Sequence, residues 1–413
     1  MTDEIVDDKP TRSVPTYNKK TGLIEPTIAD AMFLACTAPG YDGATGLNLL
    51  VWGNPGTGKT ATAKDVINRS GLHARYVDLS LSAPEDLAGI PRVMFYQMSE
   101  DGKTLEIHYT TDTARKDKDG NPIDTGVLSV RAVDATWLNI ASDPLSVLIV
   151  DDITNSVQMV QAALLRVALE RQISDGQGGF LDLKHMAVLA MANFGDGNAL
   201  QPLLGPLANR FSHIEASEAD VMRWWNTSRT SQLTIDLDKA TNIKRDFPAL
   251  EKKYWDIVNT FIVEHQLAAF DIAPTEFNTV QQHAYASSRT YEFCIRWLAA
   301  CEYYGVQPDR LVRASIGDHK GGMLISWLRT RELGLAAMND TIEWEKLDVA
   351  ECTQSSMWAA RNFQTSEDLQ HTIKSIERLA HLREKSHDNN VPARDYLIHR
   401  ALGLPVGPNG QVD

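Results

Sequence analysis

Residues 47–67 restrict the possible folds of the chain most strongly, because a strand, a glycine-rich loop and a helix are predicted to follow one another there. The apolar residues 47–52 are typical of a buried strand, and residues 61–67 are typical of a helix. Between them the chain matches the pattern G-x-x-x-x-G-K-[ST] in full, through Gly53, Asn54, Pro55, Gly56, Thr57, Gly58, Lys59 and Thr60. Glycines in this pattern let successive backbone N–H groups turn toward an anion, and the helix dipole adds positive potential. The stretch therefore predicts a phosphate-binding loop.

The residue types in this loop indicate a nucleoside triphosphate and its metal ion. Lys59 can reach the outer phosphates, and the Thr60 hydroxyl can bind the Mg²⁺ that accompanies them. Ala61 follows directly and is included among the predicted nucleotide-binding residues. A glycine-rich turn that binds nothing is the alternative, but the strand before it and the helix after it are the context that the motif requires. We therefore predict binding of ATP and Mg²⁺.

A second predicted strand, residues 147–150, is fully apolar and is followed by Asp151 and Asp152. In an α/β sheet such a strand brings its carboxylates to the carboxyl edge, where ligands bind. Asp151 is predicted to hold the Mg²⁺ shell, and Asp152 to orient and deprotonate an attacking water. Without other motifs, an apolar strand followed by two acids is better interpreted as a strand end that faces solvent and has no function. Downstream of a phosphate-binding loop, the functional interpretation is favoured.

Five short apolar strands separated by helices predict a doubly wound parallel sheet, and hence an α/β fold. Residues 93–133 predict a β-rich insertion, because β-rich runs flank an Asp-Gly turn, and residues 171–183 predict a hairpin around glycines. The predicted organisation is a flexible arm at 1–22, an α/β core at 23–216, an all-helical lid domain at 217–340 and a helical extension with a loose tail at 341–413.

Charge and cysteine content restrict the function classes further. The formal net charge of −14 argues against broad nucleic-acid binding, which usually needs a basic face, although a local basic channel stays possible. The four cysteines have no C-x-x-C spacing, so we interpret them as buried apolar side chains in a reducing compartment. The N-terminus lacks a signal-peptide pattern, and no apolar stretch is long enough to span a membrane. We expect a soluble, cytoplasmic protein without membrane insertion.

Several motifs together give the chain a family resemblance. They are the phosphate-binding loop and residues 148–152, 160–166, 191–193, 207–211 and 288–292. With these residues, the sequence over about 20–335 resembles a MoxR-type AAA+ ATPase, in the clade with a hairpin inserted before the first sensor. The resemblance implies ATP hydrolysis at the subunit interfaces of a homo-oligomeric ring, typically a hexamer, that remodels or assembles a client protein. A partner with a von Willebrand factor A domain is also implied.

The resemblance further implies roles for single residues. Asn193 would be the first sensor, which contacts the γ-phosphate and helps to hold the attacking water. Arg210 would be the arginine finger that reaches the nucleotide of a neighbouring subunit, and Arg289 the second sensor, carried by the helical lid. Residues 171–183 would form the hairpin that faces the central pore, and residues 93–133 would lie where the family inserts structure into its second helix. Without the family, a strand-end asparagine and a surface ion pair would be the ordinary interpretations of Asn193 and Arg210.

One position departs from the family pattern. The residue after Asp151 is usually Glu in the family, and here it is Asp152. Asp is one methylene shorter, and a general base must lie within hydrogen-bond distance of the water that it activates. Either the backbone here lies closer to the γ-phosphate, or the protein hydrolyses ATP slowly and works mainly as an ATP-held switch. We expect slow but real ATP hydrolysis.

Three functions compete at this point. The first is a ring ATPase that remodels a client protein, and we favour it. The second is a nucleic-acid motor, since helicases and restriction translocases share the hairpin. Residues 171–183 contain one basic residue, Arg171, and three glycines, whereas a hairpin that grips phosphates should carry more Lys or Arg. The third is a nucleotide-dependent switch that turns ATP over slowly.

Overall fold

The structure is a computed structural model, and a five-stranded parallel sheet forms the core of its first compact unit, Met1–Asp318. The described residues are 18, 21–83, 90–98, 105–108, 115–121, 125–132, 142–143, 145–174, 180–194, 203–217, 220, 222, 233–271, 284–342, 347, 349–365, 367–368, 370–374 and 377. The strands of the sheet are β1 (Leu49–Gly53), β2 (His73–Asp78), β6 (Ser146–Asp151), β9 (Ala187–Asn193) and β10 (Ser212–Glu215), in the spatial order β10-β1-β9-β6-β2. All four neighbouring pairs are parallel, which confirms the predicted doubly wound α/β core.

The register of the strands decides which residues meet at each edge of the sheet. At the carboxyl edge, Gly53 of β1 pairs with Asn193 of β9, and Asp78 of β2 pairs with Asp151 of β6. At the amino edge, Ser212, the first residue of β10, pairs with Leu49 of β1. The phosphate-binding loop, the acidic strand end and Asn193 therefore lie at one edge, while the residue pair Arg210–Phe211, which precedes β10, lies at the other.

Helices cover both faces of the sheet because its central strands are apolar on both sides. Leu49 and Val51 pack with α1 (Ile28–Thr37) and α2 (Lys59–Arg69). Leu50 and Trp52 face the opposite way and pack with α3 (Gln158–Glu170) and α4 (Gly205–Ala208). The alternation along β1 thus divides the core into two layers.

Two small antiparallel sheets interrupt the core. The predicted β-rich insertion contains β3 (Ile90–Met98), β4 (Leu105–His108) and β5 (Thr125–Ala132), in the order β4-β3-β5. The predicted hairpin consists of β7 (Gln172–Ser174) and β8 (Phe180–Asp182). The tip of this hairpin, residues 175–179, lies outside the described residues.

Three further helices belong to the same compact unit as the sheet, Met1–Asp318. They are α5 (Ile243–His265), α6 (Ser288–Tyr304) and α7 (Asp309–Ile316). Trp297 of α6 is fully buried, and its Nε1–H donates to Ser212 Oγ at 2.8 Å. This bond fixes α6 on the first residue of β10.

A second compact unit spans His319–Asp413. Its described helices are α8, which begins one residue earlier (Asp318–Met338), and α9 (Val349–Asn362). The two helices pack closely at Gly334, where an added Cβ would lie 2.3 Å from the Trp358 ring. Leu333, Ala337, Cys352 and Ala359 form the centre of a small core around this contact.

Further sequence predictions concern the domain boundaries, the terminal segments, the cysteines and the absence of membrane spans. The domain boundaries at residues 216 and 340 stay predictions. Most of the arm at 1–22 and the tail from 378 onward lie outside the described residues. All four cysteines are free and buried, as predicted. None of the described helices combines the length and the hydrophobicity that a membrane span requires.

Candidate nucleotide-binding site

The phosphate-binding loop connects the end of β1 to the start of α2. Gly56 and Gly58 have φ angles of 79° and 81°, a left-handed backbone that favours glycine. Gly58 caps α2 without a side-chain hydrogen bond, so the first N–H groups of this helix point at the loop. Asn54, Pro55 and Gly56 are exposed at the crest of the turn. The loop therefore presents backbone donors and a helix N-terminus to solvent, which is the arrangement that a phosphate group requires.

Lys59 lies behind the loop, and its ammonium group donates three hydrogen bonds. Its Nζ donates to the carbonyls of Gly53 at 2.8 Å and Asn54 at 3.0 Å, and to Oδ1 of Asn193 at 2.9 Å. Burial lowers the pKa of Lys59, and the carboxylates of Asp151 and Asp152 oppose that shift. The contact with Asn193 joins the loop to the end of β9, where the first sensor was predicted.

The two acids at the end of β6 have different partners. Asp151 Oδ2 accepts from Thr60 Oγ1 at 2.8 Å. Asp152 has a left-handed backbone with φ 53°, a conformation that Asp tolerates better than most residues. Its Oδ1 accepts from Nδ2 of Asn193 at 2.6 Å. Lys59, Asn193 and Asp152 thus form one hydrogen-bonded chain across the carboxyl edge.

The donor set suits Mg²⁺. Thr60 and Asp151 offer a hydroxyl and a carboxylate, the oxygen ligands that this ion prefers. Among the described residues, no group of three or more His, Cys, Asp or Glu side chains is arranged to hold a metal ion. Mg²⁺ is usually held by one or two carboxylates together with substrate phosphates, so this sparse set fits an ion that arrives with a nucleotide.

Tyr76 is a site residue that the sequence analysis missed. Its hydroxyl donates to the same Asp151 oxygen as Thr60, at 2.8 Å, and the Lys64 ammonium lies 4.7 Å from its ring centroid. Burial raises the pKa of Tyr76, and the hydrogen bond to Asp151 adds to that rise. Tyr76 belongs to β2. Only the pairing of β2 with β6, however, shows that its hydroxyl reaches the acid.

Arg210 and Arg289 are placed together, away from the phosphate-binding loop. Arg210 follows α4 and precedes β10, and its guanidinium donates to the carbonyl of Pro206. Burial lowers the pKa of Arg210, and the positive charge of Arg289 lowers it further, whereas Glu170 opposes the shift. A bond of 3.0 Å from Ser287 Oγ to Asn209 Oδ1 joins the start of α6 to the residue before Arg210. Both arginines therefore lie at the amino edge of the sheet.

A comparison with protein families finds one match within the chain. Residues 49–217 match the model of the ATPase family associated with various cellular activities (AAA). No curated protein sequence matched the chain.

Two solved structures are similar at low identity. A protein of Cytophaga hutchinsonii ATCC 33406, named as a candidate ATPase, is 18% identical, with 70% of this chain and 78% of that one covered and a TM-score of 0.39. A full-length MCM homolog from Methanopyrus kandleri is 15% identical, with a TM-score of 0.34. The match covers 72% of this chain and 53% of the homolog. Similarities at this level do not extend the activity of either protein to this chain.

Proposed function

We propose that the chain is a MoxR-like ATPase that hydrolyses ATP at the subunit interfaces of a ring and remodels a client protein. The match of residues 49–217 to the AAA family model supports the ATPase part of this proposal. The ring is proposed to be a hexamer, as the sequence resemblance implies. A partner with a von Willebrand factor A domain is part of the same proposal.

The distance between the phosphate-binding loop and the predicted arginine finger, Arg210, is the observation that carries the proposal. Gly53, at the last position of β1, begins the phosphate-binding loop, while Arg210 precedes the strand that pairs with the first position of β1. A strand of five residues spans about 16 Å, which is more than an arginine side chain can bridge. This separation supports a role for Arg210 and Arg289 at the nucleotide of a neighbouring copy of the chain.

The chemistry proposed at the carboxyl edge is attack of water on the γ-phosphorus of ATP. Thr60 and Asp151 would hold Mg²⁺, which supplies positive charge to the phosphate oxygens when it is bound. Asp152 would take a proton from the water as the new phosphorus–oxygen bond forms and the bond to the ADP oxygen breaks. Asn193 contacts both Lys59 and Asp152, which supports a role in orienting that water. The neighbour's Arg210 and Arg289 would neutralise the charge of the transition state.

The hairpin favours a protein client over a nucleic acid. Arg171, the single basic residue of 171–183, is only 4% exposed, so it is not available to a phosphate backbone. Phe180 is 50% exposed on the outer strand. The other charged side chains of 171–183 are the acids Asp175 and Asp182, so the hairpin offers no counter-charge to a nucleic acid. The exposed side chain of Phe180 can instead contact hydrophobic segments of a protein.

Complementation between two inactive variants tests this proposal. Lys59→Ala disables the phosphate-binding loop, and Arg210→Ala disables the finger, so each variant alone should be nearly inactive. In a ring mixed in equal parts, about a quarter of the interfaces would join an intact loop to an intact finger, because the interfaces are head to tail. We expect phosphate release to reappear on mixing. If the mixture stays as inactive as the separate variants, Arg210 does not act across a subunit boundary.

A further inference from the structure

Arg171 is a buried cation that the proposed hydrolysis does not use. Its partners among the described residues are neutral: the carbonyl of Met186 and Oδ1 of Asn48, the latter at 2.5 Å. Burial lowers the pKa of its guanidinium to about 10. Its backbone is left-handed, with φ 51°. Burial of a charge without a counter-charge and a left-handed backbone at a non-glycine residue both destabilise a fold. An apolar side chain would fill this space at a lower cost, so packing alone does not account for Arg171.

Asn48 lies at the centre of the contacts around Arg171. Its amide nitrogen donates to the carbonyls of Ala168 at 2.5 Å and Arg210 at 2.9 Å, while its Oδ1 accepts from Arg171. Its backbone carbonyl also accepts from the N–H of Ser212 at 3.0 Å. The residue is 5% exposed, so water does not replace these partners. One asparagine thus holds the backbone on both sides of Phe211, including the carbonyl of the predicted arginine finger.

The hairpin begins directly at Arg171. The N–H of Leu183 donates to the Arg171 carbonyl at 2.7 Å and closes the base of β7 and β8. Ile173 is buried beside this base, whereas Phe180 is half exposed and packs on Arg166, with the guanidinium carbon 4.4 Å from the ring centroid. The base of the hairpin is thus part of the same chain segment as Arg171, and hydrogen bonds of Asn48 connect Arg171 to the Arg210 carbonyl.

We propose that Asn48 and Arg171 form a clamp that couples the position of the hairpin to the position of Arg210. Movement of the hairpin on a client would then regulate hydrolysis in the neighbouring subunit. The inference rests on the proposed function, since Arg210 must act on the neighbour's nucleotide. Both clamp residues are positioning residues, because they act through the Arg210 backbone at the amino edge of the sheet.

The variant Asn48→Asp distinguishes a loss of the clamp from a loss of the local fold. The aspartate keeps the size of the side chain, still accepts from Arg171 and compensates its charge, but it has no N–H to offer the carbonyls of Ala168 and Arg210. We expect a cooperative thermal unfolding transition, unchanged ATP affinity and unchanged KM, with kcat at least about tenfold lower, since a displacement of about 1 Å can cost a hundredfold in rate. Asn259→Asp, the same change on the exposed face of α5, is the matched control and should leave kcat unchanged.

Arg171→Lys provides a second variant if Asn48→Asp does not fold. It keeps the positive charge but lacks the planar fork that reaches Met186 and Asn48 together. The same loss of kcat at constant KM is expected, in a smaller amount. An unchanged kcat in a folded clamp variant would overturn the inference.

A double-mutant cycle with Phe180→Ala measures the coupling itself. Phe180→Ala should change kcat of the assembled protein at least about threefold, and that change should disappear in the Asn48→Asp background. No change in the native background, or effects that multiply independently, would overturn the clamp. Failure of the complementation between Lys59→Ala and Arg210→Ala would overturn the proposed function instead, so the two failures are distinguishable.

Discussion

The two edges of the central sheet differ in how far their charged side chains are already paired. At the carboxyl edge, Asn193 joins Lys59 and Asp152 through hydrogen bonds of 2.9 and 2.6 Å. At the amino edge, Arg289 lies close enough to lower the pKa of Arg210, and Arg210 Nε is buried without a partner in the described part of the chain. Like charges at close range destabilise each other unless an anion lies between them. The charged side chains of the carboxyl edge are thus paired within one chain, whereas the amino edge has positive charge, opposed in part by Glu170, that a polyanion would satisfy.

The largest effect is expected from Lys59→Ala, which tests whether the carboxyl edge holds the nucleotide. The charge facing the outer phosphates is lost while the fold survives, so tight ATP binding should be abolished. Isothermal titration calorimetry of the folded variant measures this, and Lys252→Ala on the exposed face of α5 is the control. Unchanged affinity in Lys59→Ala would show that the site lies elsewhere.

Arg210→Ala tests the amino edge and should leave ATP affinity within about twofold, because its own chain's loop is untouched. Turnover should fall by about a thousandfold or more, as is usual when an arginine finger is removed. Equilibrium binding and steady-state phosphate release on the same preparation separate the two quantities. Full turnover by a strictly monomeric species would contradict the assignment of the two edges to different subunits.

The variant Asp152→Asn tests whether Asp152 is the general base at the carboxyl edge. The amide keeps the shape of the side chain but cannot accept a proton from water, so ATP should bind while turnover falls by about a hundredfold or more. Asp152→Glu should preserve or raise turnover, because the longer side chain reaches farther toward the γ-phosphate. Phosphate release decides the matter: if Asp152→Asn turns over like the native protein, Asp152 is not the base.

Tyr76→Phe should have the smallest effect of the four. It removes the hydroxyl that donates to Asp151 and leaves the ring in place. Residues that support a metal ligand typically contribute ten- to a hundredfold in metal affinity, and we expect a loss of about tenfold for Mg²⁺ here. Mg²⁺ titration of a fluorescent ATP analogue measures it. Tyr303→Phe, which removes an exposed hydroxyl bonded to Lys239, should not change the titration.

The carboxyl edge was largely predictable from sequence because its signals are local. The loop and its helix are contiguous, and Asp151 and Asn193 each end an apolar strand, so the parallel order of the sheet brings them together. Tyr76 could not be predicted, since its bond spans 75 residues and depends on the pairing of β2 with β6.

The amino edge was less predictable for the same reason. The bonds from Asn48 to Arg171 and to Arg210 span 123 and 162 residues, and nothing in the local sequence marks an asparagine before an apolar strand. Arg210 and Arg289 were predicted from family resemblance alone. The two arginines lie at the same edge because α6 packs on β10. Periodicity in the sequence does not reveal this packing.

The burial of every cysteine has a practical consequence for following the hairpin in solution. The thiolate is the form that reacts with labelling reagents, and burial raises the pKa of Cys36 to about 12 and also raises the pKa values of Cys294 and Cys301. The native chain should thus react slowly with maleimide dyes under folded conditions. A single new thiol at a half-exposed position such as Phe180→Cys would take up one dye, and its fluorescence would report hairpin motion without prior removal of any natural cysteine.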